Sequence, residues 1–434
     1  MQNYYIHKKE KINPYATPKG LHVINMIREI SIKNYKSIVA LNMPLGGFNL
    51  LIGANGCGKS NILESIALAA AANANKLEQE YFDNRGIRFV EPTFMLPAFE
   101  DVDAKGINIT VSFDDKDDAR KFSFDIRYNE SAKPPRWECP TTSLGTLINQ
   151  IKNFGETSDE NNIDEKTLNA KQIIKELGEK LASFFASDEF SDDERKILLE
   201  TPFLKNADGS VIPPKENLQQ YMIYSLEESK LRSIDDKKQI RPLGNRGEGL
   251  LPYLKELSQK PNGVEIIKEI NENLKLLDWF DEMTIPSGQL PSEVNIRLHD
   301  RYLKESLEYF DQRSTNEGFL YLLFYLTLII SDETPSFFAI ENIDAAFNPK
   351  LCKEVVRRII QLAKKHNKQI IATTHNPAVL DALNLDDDNV KLHVVRRSID
   401  GYTKINSVKL KSKLEIPLSK AWTDGFLGGL PDNF

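Results

Sequence analysis

The sequence predicts a mixed α/β fold: a parallel sheet with crossover helices built around a glycine-rich loop, joined by an antiparallel β region and an inserted helical domain. Three observations predict it. Compact apolar runs of strand length, Phe48-Asn49-Leu50-Leu51-Ile52, Ser336-Phe337-Phe338-Ala339-Ile340 and Gln369-Ile370-Ile371-Ala372, are separated by stretches whose apolar residues recur at helical spacing. The first run leads into Gly53-Ala54-Asn55-Gly56-Cys57-Gly58-Lys59-Ser60 and then into the helical pattern Asn61 to Leu68. That strand, loop and helix order is the context in which the pattern G-x-x-x-x-G-K-[ST] has meaning. Ile27 to Lys33, Gly106 to Phe113 and Lys121 to Tyr128 instead alternate apolar and polar residues, as half-buried antiparallel strands do.

Taken in order, residues 1–23 are polar, slightly basic and proline-containing, and read as an extended N-terminal arm. Ile27 to Lys33 and Val39-Ala40-Leu41 are two strands leading to the loop strand. Gly106 to Phe113 and Lys121 to Tyr128 form a hairpin-like pair joined by the charged turn Asp114-Asp115-Lys116-Asp117-Asp118. Residues 24–140 are thus the first part of the sheet-bearing domain. From 141 to 240 the sequence becomes charged and is expected to be helical, as in Asp164 to Phe185 and Gln219 to Lys230, without a sustained heptad repeat. The glycine-rich return Arg241 to Leu250 opens the second part, 241–434. There an apolar helix begins after Ser314-Thr315-Asn316, and Pro349 to His366 forms the crossover between two buried strands. The ending Ala421 to Phe434 is too apolar for a solvated tail; it packs on its own lobe or docks a partner protein.

The chain has 434 residues, 41% of them hydrophobic, enough for a large core with two or three domains or one domain and an insertion. A net charge of -7 argues against an overall basic coat for nucleic acid. Cys57, Cys139 and Cys352 stand far apart, so neither a disulfide framework nor a zinc site is indicated and a reducing cytoplasm is expected. The longest apolar run, Phe319 to Ile330, is too short to span a bilayer, and the N-terminus lacks the apolar core of a signal peptide. No membrane segment is expected.

The chemistry centres on the loop. Glycines let backbone N–H groups approach an anion, and the helix start that follows adds free N–H groups and the positive end of its dipole. Asn55, Gly56, Cys57 and Gly58 would wrap the phosphates of a nucleoside triphosphate, Lys59 would reach the β- and γ-phosphates, and Ser60 would ligate Mg²⁺. Glu341, ending an apolar strand, stands where such sheets place the acid that holds Mg²⁺ or its waters. His375 ends another buried strand one helix further on, a place that makes it a candidate for the same site. Asn316 has two readings, a helix cap or a phosphate ligand, which the residues alone leave open.

With these motifs in this order, the chain resembles the ABC-type ATPases of the RecF, SMC and OLD kind over roughly residues 24 to 130 and 240 to 434. The resemblance rests on the phosphate loop with Asn61, on Ile32-Lys33-Asn34-Tyr35-Lys36-Ser37, on the signature Asn316-Glu317-Gly318, on the Walker B strand and on the switch histidine His375. It implies the ABC-ATPase P-loop fold, ATP and Mg²⁺ as cofactors, and Lys36, Ser37 and Asn61 among the nucleotide contacts. It also implies a homodimer or higher oligomer in which Asn316 and Gly318 of one subunit cap the γ-phosphate held by the other, with His375 sensing it. The runs Ile340 to Pro349, Thr374 to Asp381 and Gly428 to Pro431 look like ATPases of bacterial anti-phage operons, and within them like the Septu ATPase subunit, which works with an HNH nuclease.

Three departures bear on mechanism, one of them that Glu341 is a methylene longer than the family's aspartate, which works against the octahedral geometry that Mg²⁺ demands. The family strand ends Asp-Glu, whereas this chain has Glu341-Asn342. An amide cannot take a proton from water at neutral pH, and losing a positioned base costs about 10²- to 10⁴-fold in rate. Asp344 lies further along the same turn as a substitute base, and no glutamine loop is evident, Gln79 being a weak candidate. The expected function is therefore an ATP-binding, slowly hydrolysing or non-hydrolysing ATPase subunit that regulates a separate nuclease effector in anti-phage defence, with nucleic acid engaged through the complex. The alternative is a RecF- or SMC-like repair ATPase that binds DNA directly and hydrolyses actively. Arg241, Arg246, Arg357-Arg358 and Lys364-Lys365 are its best support.

Overall fold

The computed structural model describes residues 26–88, 90–113, 121–139, 141–143, 202–205, 211–212, 216–233, 242–286, 295–304, 306–409 and 416–430. The N-terminal arm, the 114–118 turn, the stretch from Asp164 to Phe185 and Arg241 lie outside them.

Strands β1 (Ile27–Tyr35) and β2 (Ile38–Pro44) precede the loop strand β3 (Phe48–Ile52), the helix α1 (Lys59–Asn73) and two short helices, α2 (Gln79–Asp83) and α3 (Pro92–Met95). β4 (Ile107–Phe113), β5 (Lys121–Asn129) and β6 (Arg136–Glu138) complete an antiparallel sheet of order β2-β1-β4-β5-β6, so the expected hairpin is present. A separate small sheet joins β7 (Thr141–Ser143), β8 (Pro202–Lys205) and β9 (Val211–Ile212). Helix α4 (Glu216–Gln219), strand β10 (Ile223–Tyr224) and helix α5 (Glu228–Leu231) follow.

The helical reading of Gln219 to Lys230 is corrected here. Ile223–Tyr224 is the edge strand of the central sheet, parallel to the acidic strand in register with Ala339 and Ile340, and the aromatic and β-branched residues of Tyr221-Met222-Ile223-Tyr224 favour that buried, extended setting.

Helices α6 (Leu250–Gln259) and α7 (Gly263–Leu274) lead to the three-stranded sheet β11 (Phe280–Thr284), β12 (Arg297–Asp300) and β13 (Phe310–Asp311). Then come α8 (Glu317–Ile330), β14 (Phe337–Ile340), α9 (Pro349–Lys365), β15 (Gln369–Thr373), a 3-10 helix (Pro377–Ala382), β16 (Val390–Arg397), β17 (Thr403–Ser407) and α10 (Leu418–Thr423).

The central sheet has the order β10-β14-β15-β3-β16-β17, parallel except at β17. Its inner strands β14, β15 and β3 are buried along their whole length and mostly apolar because both faces are covered. Phe48, Leu50 and Ile52 pack with α8 and α9 on one side, while Leu51 packs with α1 and the antiparallel sheet on the other. Ile340 lies beside Ala372, and Ala372 beside Leu50, so β14, β15 and β3 end at one edge. Loops leaving the carboxyl ends of such strands form a common cleft. No helix among the described residues is long and apolar enough to cross a membrane.

Candidate nucleotide-binding site

The loop leaving β3 is shaped by its glycines. Gly53 has φ 147°, and a Cβ there would lie 2.1 Å from the Val395 carbonyl oxygen. Gly58, the cap of α1, has φ 109°, and its Cβ would lie 2.1 Å from Thr403 Oγ1. Side chains at either position are excluded by contact as well as by backbone conformation. No side chain caps the start of α1, and among the described residues the N–H groups of Gly58, Lys59 and Ser60 have no acceptor. These are the orphan donors of a helix start, and they fit phosphate oxygens. Lys59 Nζ donates to Gly53 O at 2.7 Å and Ala54 O at 3.0 Å, folding back across the loop.

Sequence reasoning missed what holds this loop from behind. Thr403 Oγ1 donates to Cys57 O at 2.9 Å and lies 2.7 Å from Ser37 Oγ, which accepts from Asn61 Nδ2 at 2.6 Å. Arg397 Nε donates to Gly56 O at 3.0 Å, and Ala54 N donates to Gly429 O at 2.8 Å. Ser37 and Asn61 thus stand behind the loop and tie it to β17.

The other half of the cleft comes from β14 and β15. Glu341 N donates to Tyr224 O at 2.8 Å, which seats the residue against β10. Asn342 has φ 50°, an exposed side chain, and an N–H bonded to Thr373 Oγ1 at 3.0 Å. Left-handed backbone is a conformation that asparagine tolerates well. Asp344 accepts from Thr374 Oγ1 at 2.6 Å. Burial lowers the pKa of Lys59, opposed by Cys57 and Glu341. Desolvation and then the Lys59 charge lower that of His375, opposed by Asp344. Lys59 follows β3, Glu341 follows β14 and His375 follows β15, whose carboxyl ends share one edge, and Asp344 is tied there through Thr374, the neighbour of His375.

Lys36 does not point a free ammonium into this cleft. Its Nζ donates to Glu64 Oε2 at 2.5 Å and to Arg88 O at 3.1 Å. Asn316 caps α8, its Oδ1 accepting from Phe319 N at 2.9 Å, so the capping reading holds in the single chain. A Cβ on Gly318 would lie 3.0 Å from the Ala346 carbonyl oxygen, which packs the turn against the segment following Glu341. Among the described residues neither Asn316 nor Gly318 hydrogen-bonds to the loop of the same chain.

The donor set fits a nucleoside triphosphate with a hard cation. Ser60 and Glu341 would offer oxygen donors, and no cluster of three or more His, Cys, Asp or Glu residues gathers among the described residues. Mg²⁺, which keeps waters and phosphate oxygens in its shell, suits such a sparse protein contribution.

A family model described as "AAA domain, putative AbiEii toxin, Type IV TA system" matches residues 48–381, from the loop strand to beyond His375. The chain belongs to this family. Among solved structures, this AAA-domain chain is similar to an SMC head bound to the C-terminal winged-helix domain of ScpA, at 15% identity and TM-score 0.50, over 89% of this chain and 98% of that one. That likeness shows the ABC-ATPase P-loop fold of SMC heads. The SMC head domain from Thermotoga maritima (13% identity, TM-score 0.42, 88% of this chain and 99% of that chain) is also similar. So is the head with an extended coiled coil from Pyrococcus furiosus, bound to the C-terminal domain of ScpA (16%, 0.46, 92% and 98%). No curated protein matches the chain.

Proposed function

We propose that this AAA-domain protein is an ATP-binding ABC-type ATPase subunit, slow in hydrolysis, whose nucleotide state regulates a separate effector. The observation that carries the reading is the uncapped first turn of α1 with Lys59 beside it, at the sheet edge from which the segments carrying Glu341, Asp344 and His375 also leave. On this reading Asn55 to Ser60 bind the phosphates, and Ser60 and Glu341 hold Mg²⁺ with water and phosphate oxygens. Mg²⁺ would supply charge neutralisation across the β- and γ-phosphates. Lys59 supplies a mobile cation, now folded on two carbonyls, and His375 reads the terminal phosphate. Asn316 and Gly318 reach the phosphate of a second copy in a homodimer. Residues 24–140 and 241–434 form the ATPase, and the cytoplasm is its compartment.

The effector is a nuclease of HNH type in an anti-phage operon, as in Septu. The support is the resemblance of the runs 340–349, 374–381 and 428–431. Direct DNA binding is the weaker reading because the basic helix face is already engaged. Arg357 pairs with Glu354, Arg358 bonds Asn273, Lys364 pairs with Asp387 and Lys365 with Glu269.

Isothermal titration calorimetry with MgATP tests the core of the proposal. Wild type should bind and Lys59→Ala should not, and equal affinities would overturn it. Light scattering with and without MgATP tests the dimer.

A further inference from the structure

The C-terminal segment touches the phosphate loop at its tip. Ala54 N donates to Gly429 O at 2.8 Å, and Gly429 packs so tightly that an added Cβ would meet Val394 Cγ1 at 2.5 Å and Gly53 Cα at 3.5 Å. Among the described residues this is the one hydrogen bond that ties 424–430 to the loop. The root of the segment is held more firmly. Asp381, in the 3-10 helix that follows His375, accepts from Ser419 N at 3.0 Å and from Ser419 Oγ at 2.7 Å, and Trp422 is buried in the main core. Between root and tip, Leu427 packs partly on that core. Gly425 and Gly428, however, have φ of 82° and 72° with nothing within 4 Å of an added Cβ, and Phe426 is 74% exposed. The tip can therefore swing on its glycines without unseating α10.

Gly53 O and Ala54 N are the two ends of one rigid peptide group. Its N–H donates to Gly429 O, and its carbonyl accepts from Lys59 Nζ at 2.7 Å. Hydrogen bonds joined through one peptide polarise and strengthen each other, so the tip and Lys59 each favour the other's position. An ammonium has three donors. Those of Lys59 meet Gly53 O, Ala54 O at 3.0 Å and Cys57 Sγ at 3.9 Å, all within the loop. Lys59 must give up these partners before it can reach a β- or γ-phosphate.

We propose that residues 424–430 are an autoinhibitory strap: seated on Ala54 N, they aim the Gly53 carbonyl at Lys59 and hold that ammonium on the loop in competition with the phosphates of ATP. Release of the strap leaves the peptide free to turn about Gly53, loosens the hold on Lys59 and favours the nucleotide. Linkage makes the effect reciprocal, so bound MgATP favours the released strap by the same factor. This inference rests on the ATP-binding reading and adds to it a control on nucleotide affinity from the far end of the chain.

The test is calorimetric titration of MgATP into wild type, Gly429→Ala and a chain ending at Gly425, with hydrogen exchange of peptides covering 424–430 in the wild type. Alanine at 429 meets Val394 and a φ of 78° that it disfavours, so it unseats the tip; the shortened chain removes the tip and keeps α10. Both variants should bind MgATP about 2- to 10-fold more tightly than wild type, the range for one net hydrogen bond. MgATP should in turn speed exchange of 424–430 in the wild type by a similar factor. A segment that only supports the loop gives the opposite sign. Variants with wild-type melting temperatures that bind MgATP equally or more weakly would overturn the proposal. If a variant melts early, wild-type exchange decides, and protection of 424–430 unchanged at saturating MgATP would overturn it as well. A wild type that gives no MgATP binding at all is a separate result, which removes the ATP-binding reading and the strap with it.

Discussion

Replacing Asn342 by glutamate restores a carboxylate to the end of the acidic strand, and the structure sets how large the response can be. The side chain is exposed at the cleft, so an added methylene meets no wall, and the N–H bond to Thr373 Oγ1 belongs to the backbone and survives the change. The cost is conformational. At φ 50° a glutamate is disfavoured by about 1–2 kcal/mol, where asparagine is tolerated. A positioned base is worth about 10²- to 10⁴-fold. At 1.36 kcal/mol per factor of ten, strain expressed wholly against the placement of the base removes about 5- to 30-fold of that gain. Asn342→Glu should therefore raise steady-state phosphate release at saturating MgATP by about 3- to 2000-fold. Asp344→Asn is the control, since Asp344 is the other carboxylate near His375 and one of its oxygens is already held by Thr374. Brisk wild-type turnover that Asp344→Asn abolishes would refute the reasoning and make Asp344 the base.

Three further outcomes are expected. Thr403→Val keeps the shape of a fully buried side chain but strands Cys57 O and leaves Ser37 Oγ with Asn61 alone; it should cost about 1–3 kcal/mol in urea unfolding and weaken MgATP binding, whereas unchanged values would mean that water replaces the hydroxyl. Trp422, 4% exposed in the main core, should cost about 3–5 kcal/mol on truncation to alanine; an unmoved melting temperature with loss of effector co-purification would instead assign the C-terminal segment to docking. Lys368 is buried among the carbonyls of Ser331, Thr334 and Pro335, and desolvation lowers its pKa from 10.5 to about 8. The unfolded chain binds the extra proton between those values, so stability should rise with pH from about 8 to about 10.5, by on the order of 3 kcal/mol, relative to Lys368→Met. Parallel pH profiles of urea midpoints for the two proteins would contradict it.

The parts of the site legible in the sequence are those written in consecutive residues at the end of a strand. Phe48 to Ser60, Phe337 to Glu341 and Gln369 to His375 each carry a strand and its functional residue together, and parallel register brings the three ends to one edge. β10 was not legible because two strand residues between charged turns have too little length to show a period of two. The supports of the loop were hidden for a different reason. Arg397 and Thr403 bond it across 341 and 346 positions of chain, and Arg88 meets Glu64 across a 24-residue gap, so no local pattern announces either contact.

That distinction decides how loop variants are to be interpreted. Gly58 belongs to the phosphate-binding pattern, and its replacement by alanine would ordinarily be taken to test phosphate approach. In this chain the new methyl would collide with Thr403 before any nucleotide arrives, pushing β17 away from Cys57 O and Ser37. Loss of binding in Gly58→Ala would thus report on the packing of β17 as much as on phosphate. Lys59→Ala is free of this ambiguity. The Nζ it removes bonds only the loop's own Gly53 and Ala54 carbonyls and the Cys57 sulfur, and Ala54 N and Cys57 O remain fixed from outside the loop by Gly429 and Thr403.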